Sequence, residues 1–180
     1  TPYDPYAGYG ESNMRGAYRS IGINRNDFMS LIQINDNRPD DIKAIQWLAF
    51  ASNAFNVMVP FYADIETTPD YLSNTTGEVS TDNFYWSSRM IAAMADASYK
   101  KSIFHIERYQ EHVLSKGHEI INRYDDMIQN EADTDKHLAL KHEANLAVAD
   151  MLKAATSDTL GKVLYELSNE MKNAYSRSDA

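Results

Sequence analysis

The chain has 180 residues, a formal net charge of −9, 43% hydrophobic and 24% charged residues, and no cysteine. That balance fits one globular domain or a substantial piece of a larger one, with no apolar run near the roughly 20 residues a membrane helix needs. An acidic chain without a basic block excludes duplex nucleic acid and anionic membrane surfaces as partners, and the missing cysteine excludes disulfides, a thiolate zinc site and a cysteine nucleophile within this chain.

The opening stretch TPYDPYAGYGE is polar and rich in Pro and Gly, carries no secretory leader, and reads as a loop belonging to the interior of a longer chain. GAYRSIGIN (16–24) and DFMSLIQIN (27–35) follow as two predicted strands, with a polar break at Arg25-Asn26. NDNRPDD (35–41) is a turn, with Pro39 flanked by acids and amides. AIQWLAF (44–50) and VMVPFYAD (57–64) are the next two strands, and Pro60 assigns the second to a sheet edge or a bulge. Between them lies ASNAFN, whose Ser52, Asn53 and Asn56 are polar groups at the tip of an apolar hairpin. Residues 66–82 form a polar loop.

Helices are expected from there on. Thr81 is placed to cap one beginning near Asp82. A second covers 98–130, with Ile103, Ile106, Val113, Ile120, Tyr124 and Ile128 as its apolar stripe. Asp133 or Thr134 starts a third, with Leu138, Ala144, Val148, Met151, Leu152 and Ala155 on its first stripe. Leu160, Val163, Leu164, Leu167 and Met171 continue that stripe after a break expected between Ser157 and Gly161. The tail NAYSRSDA is expected to fray. Strands first and helices second is the order of an α+β fold, in which long C-terminal helices cover one face of an antiparallel sheet of four or five strands. Residues 1–80 form the β-rich part and 81–180 the helical part, together one incomplete domain.

Local chemistry gives few strong motifs. His118-Glu119-Ile120-Ile121-Asn122 is one residue short of the zinc-protease pattern, and an amide at the second ligand position holds zinc poorly. His137 and His142 are off the metal-binding spacing, so no metal or other cofactor is expected. Asp40-Asp41 and Asp125-Asp126 read as solvated turn and helix surface. The aromatics Trp47, Phe61, Tyr62, Phe84, Tyr85 and Trp86 are too many for solvent and are expected where helices meet the sheet. For Ser52 and Asn53 the ordinary account is a hairpin loop whose side chains bond the local backbone. The alternative places them at a pocket, donating neutral hydrogen bonds to an amide substrate near a developing oxyanion.

AIQWLAFASNAFNVMVPFYA, TPDYLSNTT and VSTDNFYWSSRMIAAMADASY, with YDPY and YRSIGINR upstream, closely resemble the C-terminal part of the family C69 dipeptidases, the dipeptidase A type of lactic acid bacteria. The long pattern W-x-A-F-x-S-N-x-F-N-x-x-V-P-F-Y carries the resemblance, which is strong over roughly the first hundred residues. It implies a four-layer αββα fold of the N-terminal nucleophile hydrolases and hydrolysis of dipeptides. It also implies a nucleophilic cysteine at the mature N-terminus, whose own α-amino group acts as base without a metal. This chain departs from that pattern because it has no cysteine, and its Thr1-Pro2 matches the interior of the family chain rather than the catalytic end. The expectation is therefore a C-terminal portion of a cytoplasmic cysteine dipeptidase, inactive alone. Its partners would be the dipeptide substrate, the N-terminal half of the same protein and further copies in a homo-oligomer, with no membrane or nucleic acid. Arg25, Ser52, Asn53 and Asn56 are the substrate-binding candidates, Arg25 as a bidentate donor to a substrate carboxylate, and no catalytic residue is assigned within the chain. The competing expectation is a structural or oligomerisation region with no direct part in catalysis.

Overall fold

The computed structural model describes residues 26–172. The predicted strand 16–24, Arg25 and the tail from 173 lie outside them. Three strands, β1 (Phe28–Ile34), β2 (Ala44–Phe50) and β3 (Val59–Tyr62), form an antiparallel sheet in the order β1-β2-β3. A short α1 (Asp70–Ser73) precedes α2 (Phe84–Ala97), α3 (Tyr99–Asn130) and α4 (His137–Asn169). The α+β order read from the sequence is the observed one.

The register sets Trp47 opposite Leu31 and Pro60, and Ile45 opposite Gln33 and Tyr62. Along β2 burial alternates: Ile45, Trp47 and Ala49 are buried while Gln46, Leu48 and Phe50 are only partly so. The buried set faces the helices, where Trp47 packs on the His118 ring of α3 at 4.9 Å between centroids. Pro60 sits in β3, an edge of the sheet, as its missing N–H requires. β1 differs from both neighbours. All seven of its residues are exposed, including Phe28, Leu31, Ile32 and Ile34. This edge strand overhangs the helical layer and presents apolar side chains on both faces.

The two long helices run antiparallel, since Tyr109 meets Thr156 and His105 meets Glu166. At 32 and 33 residues each is about 48–50 Å long. The buried stripe of α3 is Ile106, Tyr109, Val113, Gly117, Ile121, Asp125 and Ile128. It shares Ile106, Val113 and Ile128 with the predicted stripe; Ile103, Ile120 and Tyr124 flank it, partly buried. Gly117 is where α3 crosses β3. A Cβ there would lie 2.7 Å from Pro60 Cδ and 2.9 Å from Cγ, so only glycine lets the helix approach so closely. A fully buried Asn145 on α4 acts as a surrogate strand at the same edge. Its Oδ1 accepts from the Tyr62 N–H and its Nδ2 donates to the Tyr62 carbonyl, both at 2.9 Å.

Three local expectations are corrected. The cap of α2 is Asn83, whose side chain accepts from Trp86 N at 2.8 Å; Thr81 lies outside the helix. Asp133 caps a single 3₁₀ turn, Thr134–Lys136, and α4 begins only at His137. The break expected between Ser157 and Gly161 does not occur. Thr156 and Thr159 return their hydroxyls to the Leu152 and Ala155 carbonyls, and Val163 is fully buried beyond them, so the polar residues are absorbed inside one continuous helix. No helix among the described residues is long and apolar enough to cross a membrane.

Candidate functional site

The connection from β2 to β3 begins with Ala51, buried and at φ 68°, a left-handed conformation costly for a residue with a Cβ. It is held from both sides: its N–H donates to the Asp27 carbonyl at 2.9 Å, and its carbonyl accepts from Asn56 Nδ2 at 3.2 Å. The Phe55 and Asn56 amides then turn back onto the Ser52 carbonyl at 3.0 and 3.1 Å. Gln110 on α3 donates to the Asn56 carbonyl at 2.9 Å, fixing the tip against the helices. The tip is thus a built turn, braced by tertiary contacts.

The sequence-derived candidates divide within it. Asn56 is buried and spends its side-chain donor on Ala51. Asn53 is partly buried, and its Oδ1 is enclosed with no hydrogen-bond partner. Ser52 lines a groove of about 440 Å³ with Ala54 and Phe55 on one side and Arg89, Ala92 and Asp96 of α2 on the other. Phe55 meets Tyr99 edge-on at 6.2 Å and 74° at the Asp96 end. Arg89 donates from Nη1 to Asp27 Oδ1 at 3.0 Å, tying α2 to the start of β1. Arg25 lies outside the described residues. Arg89 was missed by sequence reasoning because nothing local marks it; its place comes from α2 packing against the hairpin tip.

The opposite end of β2 carries a different polar assembly. Asp125 on α3 is 2% exposed; its Oδ1 accepts from Tyr62 Oη at 2.7 Å and its Oδ2 faces Arg38 Nη1 at 2.5 Å. Burial pushes the Asp125 carboxyl up, with the Tyr62 hydroxyl and the Arg38 charge opposing that shift. Burial, then the bond to Asp125, pushes the Tyr62 phenol well up, so it stays protonated. The reading of Asp125 as solvated surface is corrected: Arg38, distant in sequence, makes its burial tolerable. Alongside, Asp41 pairs with His137 Nδ1 at 2.6 Å, and a buried Lys141 reaches Asp64 at 2.9 Å. These pairs lock the helices to the sheet end.

A second groove, of about 500 Å³, runs between α3 and α4 beside His105, Arg108, His112, Asp158 and Lys162. Its charges largely answer one another: Lys162 pairs with Asp158 at 2.5 Å and His105 with Glu166 at 3.3 Å. In the near-zinc motif Glu119 pairs with Lys116 at 2.6 Å and Asn122 accepts from Arg38 at 3.1 Å. No group of three His, Asp or Glu side chains among the described residues is arranged to hold a metal ion.

With the braced tip and its groove in view, the likeness to known proteins is informative. The model for peptidase family C69 matches residues 1–112, which takes in the sheet, the tip, α2 and the first part of α3. The chain belongs to peptidase family C69. It is 37% identical to a dipeptidase of Bifidobacterium longum over 99% of the chain and 40% of that protein. It is 38% identical to a probable dipeptidase A of Streptococcus pyogenes serotype M3 over 99% of the chain and 37% of the relative. Dipeptidase A of Lactobacillus helveticus is 31% identical over 92% of the chain and 35% of its own length. The chain therefore spans about two fifths of the curated relatives it matches, and α4 shares in that likeness although the family model ends within α3.

Proposed function

We propose that this chain is the C-terminal portion of a dipeptidase that hydrolyses free dipeptides with a cysteine nucleophile located in the remaining portion. The observation that carries the reading is the identity of 37–38% along 99% of the chain to dipeptidases of which it spans only 37–40%. The chain has no cysteine, so the attacking thiolate comes from elsewhere in the polypeptide. There the sulfur adds to the peptide carbonyl and the C–N bond breaks. The amine leaves with a proton, and water then cleaves the thioester. This chain contributes one wall of the cleft, the braced tip with Ser52, Asn53 and the Asn56 that supports it, and alone it hydrolyses nothing.

The exposed strand β1 supports the same reading. Phe28, Ile32 and Ile34, on the face turned away from the helices, are the kind of surface a second sheet covers in a four-layer αββα arrangement. A soluble domain left with that edge open is expected to self-associate. The second reading, an assembly role only, is favoured by Phe104, Leu146, Leu164 and Tyr165, which lie exposed on the long helices and suit packing against further copies.

Complementation tests both. The chain is mixed with the cysteine-bearing portion and assayed on a panel of dipeptides. Hydrolysis in the mixture alone supports the cleft reading. Hydrolysis by the cysteine-bearing portion alone, unchanged on adding this chain, supports assembly only, and hydrolysis by this chain alone refutes both.

A further inference from the structure

We propose that the groove at the hairpin tip reads both charged ends of a free dipeptide, Arg89 taking the α-carboxylate and Asp96 the α-ammonium. The proposal rests on the dipeptidase reading and supplies what that reading lacks, the groups that restrict the substrate to two residues.

The spacing is the first argument. Arg89 and Asp96 are seven positions apart on α2, which is within about 20° of the same helix face and about 10.5 Å along the axis. An extended dipeptide separates its terminal charges by roughly 6–7 Å, and a hydrogen bond of about 2.9 Å at each end brings the span to about 12 Å. The backbone positions of the two residues are thus set apart on the scale that a single zwitterionic dipeptide bridges, with opposite signs toward opposite ends of the groove. Between them Ala92 and Ala93 keep the floor low, and Phe55 and Tyr99 offer an apolar seat for a side chain at the Asp96 end. The groove's volume, about 440 Å³, lies at the small end of the roughly 300–1,000 Å³ typical of ligand pockets.

The second argument is independent of charge. Three enclosed side-chain polar atoms lack a hydrogen-bond partner among the described residues, and one of them, Asp125 Oδ2, faces the Arg38 guanidinium. The other two are Asn53 Oδ1, in the tip, and Ser88 Oγ, 4% exposed on α2 between the buried Phe84 and groove-lining Ala92 at four-residue steps. Unpaired buried polar groups are rare and costly, and both sit beside groove-lining residues, Asn53 between Ser52 and Ala54 and Ser88 next to Arg89, without lining the groove themselves. Arg89 itself is well suited to a carboxylate. One Nη engages Asp27 at 3.0 Å in a half-exposed pair, and among the described residues the rest of the five-donor fork has no partner.

The test uses the reconstituted dipeptidase with three substrates: a free dipeptide, its N-acetyl form and its C-terminal amide. Arg89→Gln is expected to raise KM for the free dipeptide on the order of 10- to 100-fold with little change in kcat, and to abolish the preference for the free acid over the amide. Asp96→Asn is expected to do the same against the N-acetyl form. Both residues are exposed, so folding is retained. Equal loss on the acid and the amide, or no loss, overturns the proposal. If the reconstituted protein hydrolyses no dipeptide, the dipeptidase reading fails, and the groove is then judged by titrating the ¹⁵N-labelled chain with alanyl-alanine. Shifts at Ser52 and Asp96 that vanish in Arg89→Gln uphold recognition; no shift overturns it.

Discussion

Replacing Asn145 with alanine removes a side chain that satisfies both backbone polar groups of Tyr62 at the outer edge of β3. The carboxamide is fully buried, and Tyr62 is 1% exposed, so solvent does not replace it without opening the edge. Each orphaned group costs about 1–3 kcal/mol, so the two together come to about 2–6 kcal/mol. With an unfolding entropy of about 2.1 cal/mol/K per residue over 180 residues, a loss of about 3 kcal/mol lowers Tm by about 8 °C. Urea unfolding followed by far-UV circular dichroism is expected to show a lower midpoint with an unchanged slope. Hydrogen exchange at the Tyr62 amide is expected to accelerate. Asn145→Asp keeps the acceptor but sets a carboxylate against the Tyr62 carbonyl, and is expected to cost at least as much as alanine. A loss below about 1 kcal/mol for Asn145→Ala, or unchanged Tyr62 protection, refutes the account of α4 as a surrogate strand.

Other consequences are as direct. Gly117→Ala and Gly161→Ala form a matched pair: the first drives a methyl to 2.7 Å from the Pro60 ring and is expected to cost about 1–3 kcal/mol, while the second meets nothing within 4 Å and is expected to gain about 0.5–1 kcal/mol of helix propensity; thermal melts with the same sign for both refute the close-approach argument. The His137 imidazole is raised by the Glu131 carbonyl and the Asp41 carboxylate, so its stabilising contribution is complete below the ordinary imidazole range and is lost as pH rises through its raised value in the folded state; the decline in stability across neutral and mildly alkaline pH should shrink in His137→Gln, and an unchanged profile argues against the pairing. Charging the open face of β1 with Ile32→Lys, a residue 66% exposed, is expected to reduce self-association of the chain in sedimentation velocity while abolishing its complementation of the cysteine-bearing portion; retained complementation removes β1 from the proposed junction.

The sequence signalled elements more surely than their partners. Strand β2 was legible from its apolar alternation, α3 from its stripe and β3's edge position from Pro60, because each depends on neighbours in the chain. The braced tip was half legible: Ser52, Asn53 and Asn56 marked it, but their division into groove wall and internal brace turned on the Ala51 conformation and on Gln110 of α3. Asp125 read as surface because its polarity is local information and its partners are not. The same holds for the continuous α4, where Ser157 and Gly161 suggest a break to a local reader and packing along α3 overrides it.

The sequence by itself determined the α+β order and the absence of a nucleophilic cysteine, since composition and periodicity are properties of the chain alone, and one long motif carried the resemblance to a peptidase family that the family match bears out. Only the tertiary structure decided which polar groups are spent inside the fold and which line a groove. Tyr62 meets Asn145, Arg38 meets Asp125 and Arg89 meets the hairpin tip across long separations in the chain. A buried donor or charge is tolerable only where such a partner arrives, and that arrival is fixed by packing.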